Sequence, residues 1–439
     1  MSNTQNNADN ESVKGENNLQ PQKPKTPRGQ GKAPKVKTEK KDGKATGVAT
    51  PKEFKKPIII QLEEYIFDKY DLRINTVSNE LEGKLKEDKE YGLFSEDNLT
   101  YDLFVYGFNK FTTQLAVLIS TKVEKYDPLK EYFENLPKWD NSQPDYIQKL
   151  SEFVVIEDKV WWESMFKKHL VRMVAQAILK IPFNKQCLTL VGKQNDGKTS
   201  FLEFIVPPEL LKYYRKGYDF GGNKDAKISL CQNFVINLDE LASFEKKDLN
   251  NEFKTVLTES IVKFRGIFAK NETANYRRAN FVASTNQYEF LTDETGNVRW
   301  LLFVVKDIIH DNGKDKGYQA NVDINMVWSQ AYHLLMSGEF DFIMNKAEIE
   351  MQEKINQNFM RLSTEMEIVQ KYFASSNKDC PDSMFLTATE IQEELMTKTS
   401  LRLSPVQIGK ALKILQFQYT GEYDNSCLYT KKGYRIKRV

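Results

Sequence analysis

Leu188-Thr189-Leu190-Val191-Gly192-Lys193-Gln194-Asn195-Asp196-Gly197-Lys198-Thr199-Ser200-Phe201-Leu202-Glu203-Phe204 runs from an apolar stretch through a Gly-xxxx-Gly-Lys-Thr turn into a helix-forming segment. Strand, glycine-rich turn and helix in that order make a phosphate-binding loop with its required context on both sides. Glycine lets backbone N–H groups turn inward around an anion, and the helix that follows points its positive end at the same place. In such a loop Lys198 is expected to reach the β- and γ-phosphates of a nucleotide, and the Thr199 hydroxyl to ligate Mg²⁺. Gly192, Asn195, Asp196, Gly197, Lys198, Thr199 and Ser200 are therefore the candidate nucleotide-binding residues, with ATP and Mg²⁺ as the expected cofactors.

Working outward, Asn233-Phe-Val-Ile-Asn-Leu-Asp239-Glu240-Leu241 reads as a buried parallel strand with two acids at its C-terminal edge. Asp239 is expected to hold Mg²⁺ through its water shell and Glu240 to polarise the attacking water. A solvated strand end would show the same pair, but the apolar run before it favours the functional reading. A third strand, Ala279-Asn-Phe-Val-Ala-Ser-Thr-Asn286, sets the Asn286 amide at the end of a central strand beside the first, where it can orient the lytic water. Arg299 stands where a turn meets the strand Leu301–Val305 and is a candidate arginine finger; the competing account is a surface salt bridge. Between the second and third strands, Lys254, Lys263, Arg265, Lys270, Arg277 and Arg278 alternate with Phe264, Phe268 and Tyr276 in a hairpin-like stretch. Positive charge mixed with aromatics suits single-stranded nucleic acid, and a solvated basic loop is an equal reading.

The length of 439 residues allows two to four domains, and 12% aromatic content describes a globular chain. No window approaches about 18 consecutive apolar residues and the start has no apolar core, so neither a membrane span nor a secretory signal is expected. Cys187, Cys231, Cys380 and Cys427 lie far apart, and His169, His310 and His333 add too few ligands for zinc; reduced cysteines and a cytoplasmic location are expected. The formal net charge of +2 excludes a globally basic DNA-coating protein, yet residues 1–57 carry 13 Lys/Arg against 6 Asp/Glu. That segment reads as a disordered basic arm. Residues 58–180 follow as a mainly helical region, 181–364 as the ATPase core with a helical extension, and 365–439 as a small separate domain.

In that last domain Thr387-Ala-Thr-Glu390 is a capping box, and Ser404-Pro405-Val-Gln407 reads as a second. The helix it opens is expected to bury Ile408, Ala411, Leu412 and Leu415 and to expose Lys410 and Lys413. Two strands follow with a turn at Lys431-Lys432-Gly433. Helix, helix and basic hairpin is the order of a winged helix-turn-helix, which serves either DNA binding or protein interaction. Lys263, Arg265, Lys270, Arg277, Arg278, Lys410, Lys413, Lys431 and Lys432 are the candidate nucleic-acid contacts.

Three landmarks occur in a telling order: Tyr126-Asp-Pro with Leu136-Pro-Lys-Trp139-Asp140, then the phosphate loop, then Ser284-Thr285-Asn286 followed by Thr295-Gly296-Asn297-Val298-Arg299-Trp300. The chain thereby resembles the virulence-associated protein E family across roughly residues 70–345. The resemblance implies an α/β, P-loop parallel-sheet ATPase core (AAA+ or superfamily 3 helicase-like), with an N-terminal mainly helical region and a C-terminal winged-helix-like domain. It implies Gly192, Gly197, Lys198 and Thr199 as nucleotide loop, Asp239 and Glu240 as Walker B acids, Asn286 as sensor and Arg299 as finger. Where the family often has two adjacent arginines, this chain has Val298-Arg299. The region before residue 125 lacks a clustered acidic triad and zinc ligands, so no primase activity is expected. The expected function is an ATP-dependent DNA helicase or translocase for replication of a mobile genetic element, working on single-stranded or duplex DNA as a homo-oligomeric ring, with a hexamer favoured. A nucleotide-switched DNA-binding initiator that never unwinds and a non-enzymatic assembly factor are the alternatives.

Overall fold

The computed structural model describes residues 56–179, 184–239, 247–264, 272–291, 297–311, 313, 316–424 and 428–439, with backbone alone for 247–250 and 297. The basic arm, save its last two residues, and Glu240, Arg265, Phe268 and Lys270 lie outside the described residues.

The first layer is α1 (Ile58–Lys69), β1 (Tyr70–Asn75), β2 (Leu81–Leu85), β3 (Gly92–Leu93), α2 (Glu96–Tyr106), α3 (Thr112–Lys122) and β4 (Glu124–Tyr126). Leu62, Ile66, Leu72, Leu99, Leu103, Leu115 and Leu118 make its core. Within the region expected to be mainly helical, a four-stranded sheet in the order β3-β2-β1-β4 stands among these helices. The strand Leu81-Glu-Gly-Lys-Leu85 has no clean apolar alternation because Gly83 is packed too closely for a side chain: a Cβ there would lie 2.6 Å from Phe94 and 2.7 Å from Leu72. Helix α2 is capped by Ser95 and stops at Gly107, which takes the left-handed conformation at φ 108.

Next come α4 (Pro128–Glu134), α5 (Tyr146–Ser151), β5 (Val154–Ile156), α6 (Lys159–Ala177), β6 (Cys187–Val191), α7 (Lys198–Phe204), β7 (Tyr214–Lys216), α8 (Lys224–Gln232) and β8 (Val235–Asp239). They are followed by α9 (Lys247–Thr258), β9 (Ile261–Phe264), β10 (Thr273–Tyr276), β11 (Asn280–Thr285), β12 (Trp300–Ile308), α10 (Tyr318–Asn321), α11 (Ile324–Ser337) and α12 (Lys346–Gln357). Helix α4 opens at Tyr126-Asp-Pro, with the Asp127 side chain accepting from Lys130 N and Pro128 in its first turn.

The central sheet has six strands in the order β5-β12-β6-β11-β8-β7. β12, β6, β11, β8 and β7 run parallel, and β5 closes one edge antiparallel. All residues of β6 and β11 are buried, which is why both read as near-continuous apolar runs. Successive side chains feed two cores: Leu188, Leu190 and Leu301 join α6 and α11, whereas Val191, Ile236, Phe281 and Trp300 join α8 and α9. No helix among the described residues is long and apolar enough to cross a membrane.

The chain ends in α13 (Thr364–Tyr372), β13 (Phe373–Ser375), β14 (Met384–Leu386), α14 (Ala388–Met396), α15 (Pro405–Ile414), β15 (Gln418–Asp424) and β16 (Tyr429–Arg438). Strand β16 pairs antiparallel with β13, β14 and β15. The Thr387–Glu390 capping box is formed on both sides. Ser404 makes no side-chain cap, and Pro405 at the first helical position removes one donor that a cap would serve. The expected turn at Lys431–Gly433 is instead the interior of β16, where Lys431, Lys432 and Gly433 pair with Glu422, Gly421 and Thr420. Glycine is needed there for close approach: a Cβ on Gly433 would lie 2.6 Å from Leu386 O of β14.

Candidate nucleotide site

The C-terminal ends of β6, β8 and β11 meet at one cavity of about 410 Å³ lined by Gln194 to Ser200, Asp239, Ser284, Thr285 and Asn286. The register sets this up, since Val191 pairs with Thr285, and Ser284 pairs with Asp239. The loop after β6 is tied back to β11, where Gly192 N donates to Thr285 O at 3.1 Å. Two left-handed residues, Asn195 (φ 69) and Gly197 (φ 72), then turn the chain into α7.

Lys198 is 7% exposed, and burial pushes the pKa of its ammonium down. Its Nζ donates to Gly192 O at 3.0 Å and to Lys193 O. The Thr199 hydroxyl donates to Asp239 Oδ1 at 3.0 Å, and the Ser284 hydroxyl donates to the same oxygen at 2.9 Å. Thr199 Oγ1 and Ser284 Oγ are 3.2 Å apart, so two hydroxyls and one carboxylate converge. Ser200 and Asn286 are exposed at the rim. Of the expected site residues, Gly192, Asn195, Asp196, Gly197, Lys198, Thr199, Ser200, Asp239 and Asn286 are thus gathered at or beside one cavity.

Arg299 is elsewhere. It ends a short 3-10 turn just before β12, whose first residue Trp300 pairs with Cys187 at the start of β6. That is the opposite end of the strand from Gly192, roughly 15 Å away at the usual rise of a strand.

Ser284 is the residue sequence reasoning passed over. A hydroxyl inside an apolar strand carries no signal of its own; only its pairing with Asp239 across β8 and β11 reveals it.

The candidate nucleic-acid residues divide. In β9, Ile261 and Lys263 are exposed while Val262 and Phe264 are buried, and the cross-strand partners of the exposed pair are Tyr276 and Ala274. Lys263 and the exposed Tyr276 therefore share one open face. Arg277 and Arg278 do not join them. Arg277 is 1% exposed and donates to the carbonyls of Asn184, Leu257 and Ala279. Burial brings its pKa down to about 10. Arg278 is 8% exposed, donates to Ala177 O and pairs with Asp127 at 2.6 Å. Both guanidiniums are spent on holding α6, α9 and the strand edges together, so neither faces a polynucleotide. On α15, Lys410 and Lys413 are exposed. Lys431 is held by Asp424 at 2.6 Å, and Lys432 is exposed.

Among the described residues, no group of three or more His, Cys, Asp or Glu side chains could hold a metal ion. The donors at the cavity are hard oxygens, a hydroxyl and a carboxylate. They suit Mg²⁺, which is commonly held by one or two carboxylates together with substrate phosphates rather than by a protein cage.

A family profile described as the virulence-associated protein E-like domain matches residues 133–361. No curated protein matches the sequence. Among solved structures, the apo form of the NrS-1 C-terminal region (305–718) aligns over 88% of this chain and 100% of that chain, at 10% identity and a TM-score of 0.46. The A-form apo structure of the same region aligns over 86% and 98%, at 12% identity and a TM-score of 0.44. SCCmec type IV Cch, described as an active helicase, aligns over 82% of this chain and 92% of that one, at 11% identity and a TM-score of 0.36.

Proposed function

The chain belongs to the virulence-associated protein E-like family, and from that premise we propose that it is an ATP-dependent DNA helicase or translocase of the superfamily 3 type, serving replication of a mobile genetic element. The observation that carries this reading is Asp239, whose carboxylate takes the hydroxyls of Thr199 and Ser284 beside the phosphate loop. The sheet order supports it too: β6, which feeds the loop, lies between β11, which Asn286 follows, and β12, which begins after Arg299.

Thr199 and Asp239 would hold Mg²⁺, which when bound neutralises charge on the β- and γ-phosphates. Lys198 exchanges its two carbonyl partners for phosphate oxygens, and the anion offsets the burial that now disfavours its charge. The first backbone N–H groups of α7, which have no partner within a helix, are available to the same anion. Glu240 takes the role of polarising the attacking water and Asn286 of orienting it. Phosphoryl transfer of this kind needs positioning and charge neutralisation, with no covalent intermediate. Arg299 lies too far from the cavity of its own chain to act there, so it serves a neighbour's nucleotide, and the working form is a ring, with a hexamer favoured. The exposed Lys263–Tyr276 face of the β9–β10 hairpin tracks single-stranded DNA. The C-terminal residues 365–439, as a winged-helix-like domain, add contacts through Lys410, Lys413 and Lys432. Residues 58–180 and 181–364 are the N-terminal region and the motor, and the protein works in the cytoplasm.

The test is ATP hydrolysis by the full chain, with and without single-stranded DNA, beside Lys198→Ala. Hydrolysis that DNA stimulates and the variant abolishes is the expected result. Tight nucleotide binding without hydrolysis would replace the motor by a nucleotide-switched DNA-binding initiator.

A further inference from the structure

Both glycines of the phosphate loop are pressed by β12 and the chain that leaves it. A Cβ on Gly192 would lie 2.9 Å from Val305 O, and a Cβ on Gly197 would lie 1.6 Å from His310 Nε2, two residues past the end of β12. The imidazole therefore rests directly on the left-handed turn from which Lys198 and Thr199 project. It is held there from behind. The His310 ring packs edge-to-face on Tyr318 at 5.2 Å, and Tyr318 packs on Phe201 at 5.4 Å and Phe204 at 4.7 Å, both on α7. The return of the chain is equally tight: a Cβ on Gly317 would lie 2.3 Å from the His310 carbonyl carbon, and Gly317 N donates to the Asp311 carboxylate.

Three polar atoms around this contact, His310 Nε2, Tyr318 Oη and Asp196 Oδ2, are buried with no hydrogen-bond partner among the described residues. Orphaned buried polar groups cost free energy, so each calls for an explanation, and a partner gained in another state of the site is one. An apolar side chain would serve as well for a mere wall. A histidine whose nitrogen faces the loop with nothing to bond is a costly wall.

We propose that His310 is a positioning residue for the nucleotide site. It holds Gly197 in its left-handed turn, and its Nε2–H donates to an oxygen of the loop once the loop has closed on nucleotide; the Asp196 carboxylate is the acceptor on that loop. The inference rests on the nucleotide-binding reading above.

The experiment measures binding of a fluorescent ADP analogue, ATP hydrolysis and thermal midpoint for the full chain, His310→Ala and His310→Gln, with Lys198→Ala as the blank. His310→Ala is expected to raise the dissociation constant and KM about tenfold with a much smaller change in kcat, because a displaced loop weakens binding before chemistry. Its thermal midpoint stays within a few degrees of the parent. His310→Gln, whose amide can reach the position of Nε2, recovers most of the affinity. The NMR signal of the His310 ring shifts when nucleotide is added to the parent protein. Parent-like affinity in His310→Ala with an unmoved ring signal overturns the proposal alone. So does a joint loss of affinity and thermal midpoint that His310→Gln fails to restore, which marks a purely structural residue. A folded parent protein that binds no nucleotide overturns the nucleotide reading, and this proposal falls with it.

Discussion

Ser284 and Asp239 are register partners on adjacent parallel strands, and the Ser284 hydroxyl donates to Asp239 Oδ1 at 2.9 Å. Thr199, on the helix after the phosphate loop, reaches the same oxygen beside it at 3.0 Å. One carboxylate oxygen thus ties β8, β11 and α7 together.

Removing the serine hydroxyl should act on the metal step and leave the fold alone. Ser284→Ala deletes one of two donors that orient Asp239, and lost orientation of a metal-site carboxylate typically costs ten- to a hundredfold in metal affinity or activity. The expected outcome is an ATPase that needs about tenfold more Mg²⁺ for half-maximal rate, with a thermal midpoint close to the parent. A Mg²⁺ titration of the two proteins checks it, and superimposable curves would remove Ser284 from the site.

Lys198→Ala should abolish hydrolysis while sparing stability. The ammonium now serves two loop carbonyls, and burial already disfavours its charge, so its loss costs the empty fold little. With nucleotide bound it would be the side-chain positive charge that acts beside Mg²⁺ on the β- and γ-phosphates, and loss of such a group costs about a hundred- to a thousandfold in rate. Steady-state hydrolysis beside a melting curve decides the matter. A variant that hydrolyses within a few-fold of the parent would rule out the phosphate-loop role.

Lys263 and Arg277 looked alike as basic residues of one hairpin, and their variants should behave oppositely. Arg277→Ala leaves the carbonyls of Asn184, Leu257 and Ala279 without their donor in a buried site, an expected loss of about 2–4 kcal/mol. Lys263→Ala, on an exposed face, should leave stability within about 0.5 kcal/mol and lower the salt dependence of single-stranded DNA binding by about one ion. Urea denaturation and binding titrations at several salt concentrations separate the two. If Arg277→Ala proved stable and Lys263→Ala bound DNA as the parent does, the assignment of both residues would be reversed.

What the sequence made legible was whatever physics writes locally. Buried parallel strands are apolar runs, so β6, β8 and β11 stood out, and a glycine-rich turn between strand and helix placed Lys198 and Thr199. Asp239 was legible because it ends such a run. Contacts between distant segments were not. Arg277 and Arg278 carry the charge of surface residues, and only partners such as Asn184, Ala177 and Asp127, far away in the chain, bury them. Gly433 has the signature of a turn but serves the close approach of β14. Ser284 needed the register with β8 to acquire a meaning, and His310 needed its contact with Gly197.

The last prediction concerns Glu82, which fastens the N-terminal sheet to the central one. This side chain, 6% exposed, accepts from Tyr126 Oη at 2.5 Å, Asn75 Nδ2 at 3.0 Å and Lys212 Nζ at 2.9 Å, and pairs with Arg73 at 2.8 Å. Burial alone would push its carboxyl pKa up, but the hydrogen bonds from Tyr126, Asn75 and Lys212 outweigh it and hold the group down at about 2. A carboxyl depressed in the folded state stabilises at every pH above its ordinary value near 4.5, and that contribution drains away as pH falls from there toward 2. The interval corresponds to on the order of 3 kcal/mol. Glu82→Gln, which cannot ionise, should be less stable than the parent at pH 7, and the gap between the two should narrow steadily below pH 4.5. Urea midpoints of both proteins at pH 7, 4 and 3 test this, and a gap that stayed constant across the series would show that the carboxylate charge contributes nothing to the joint.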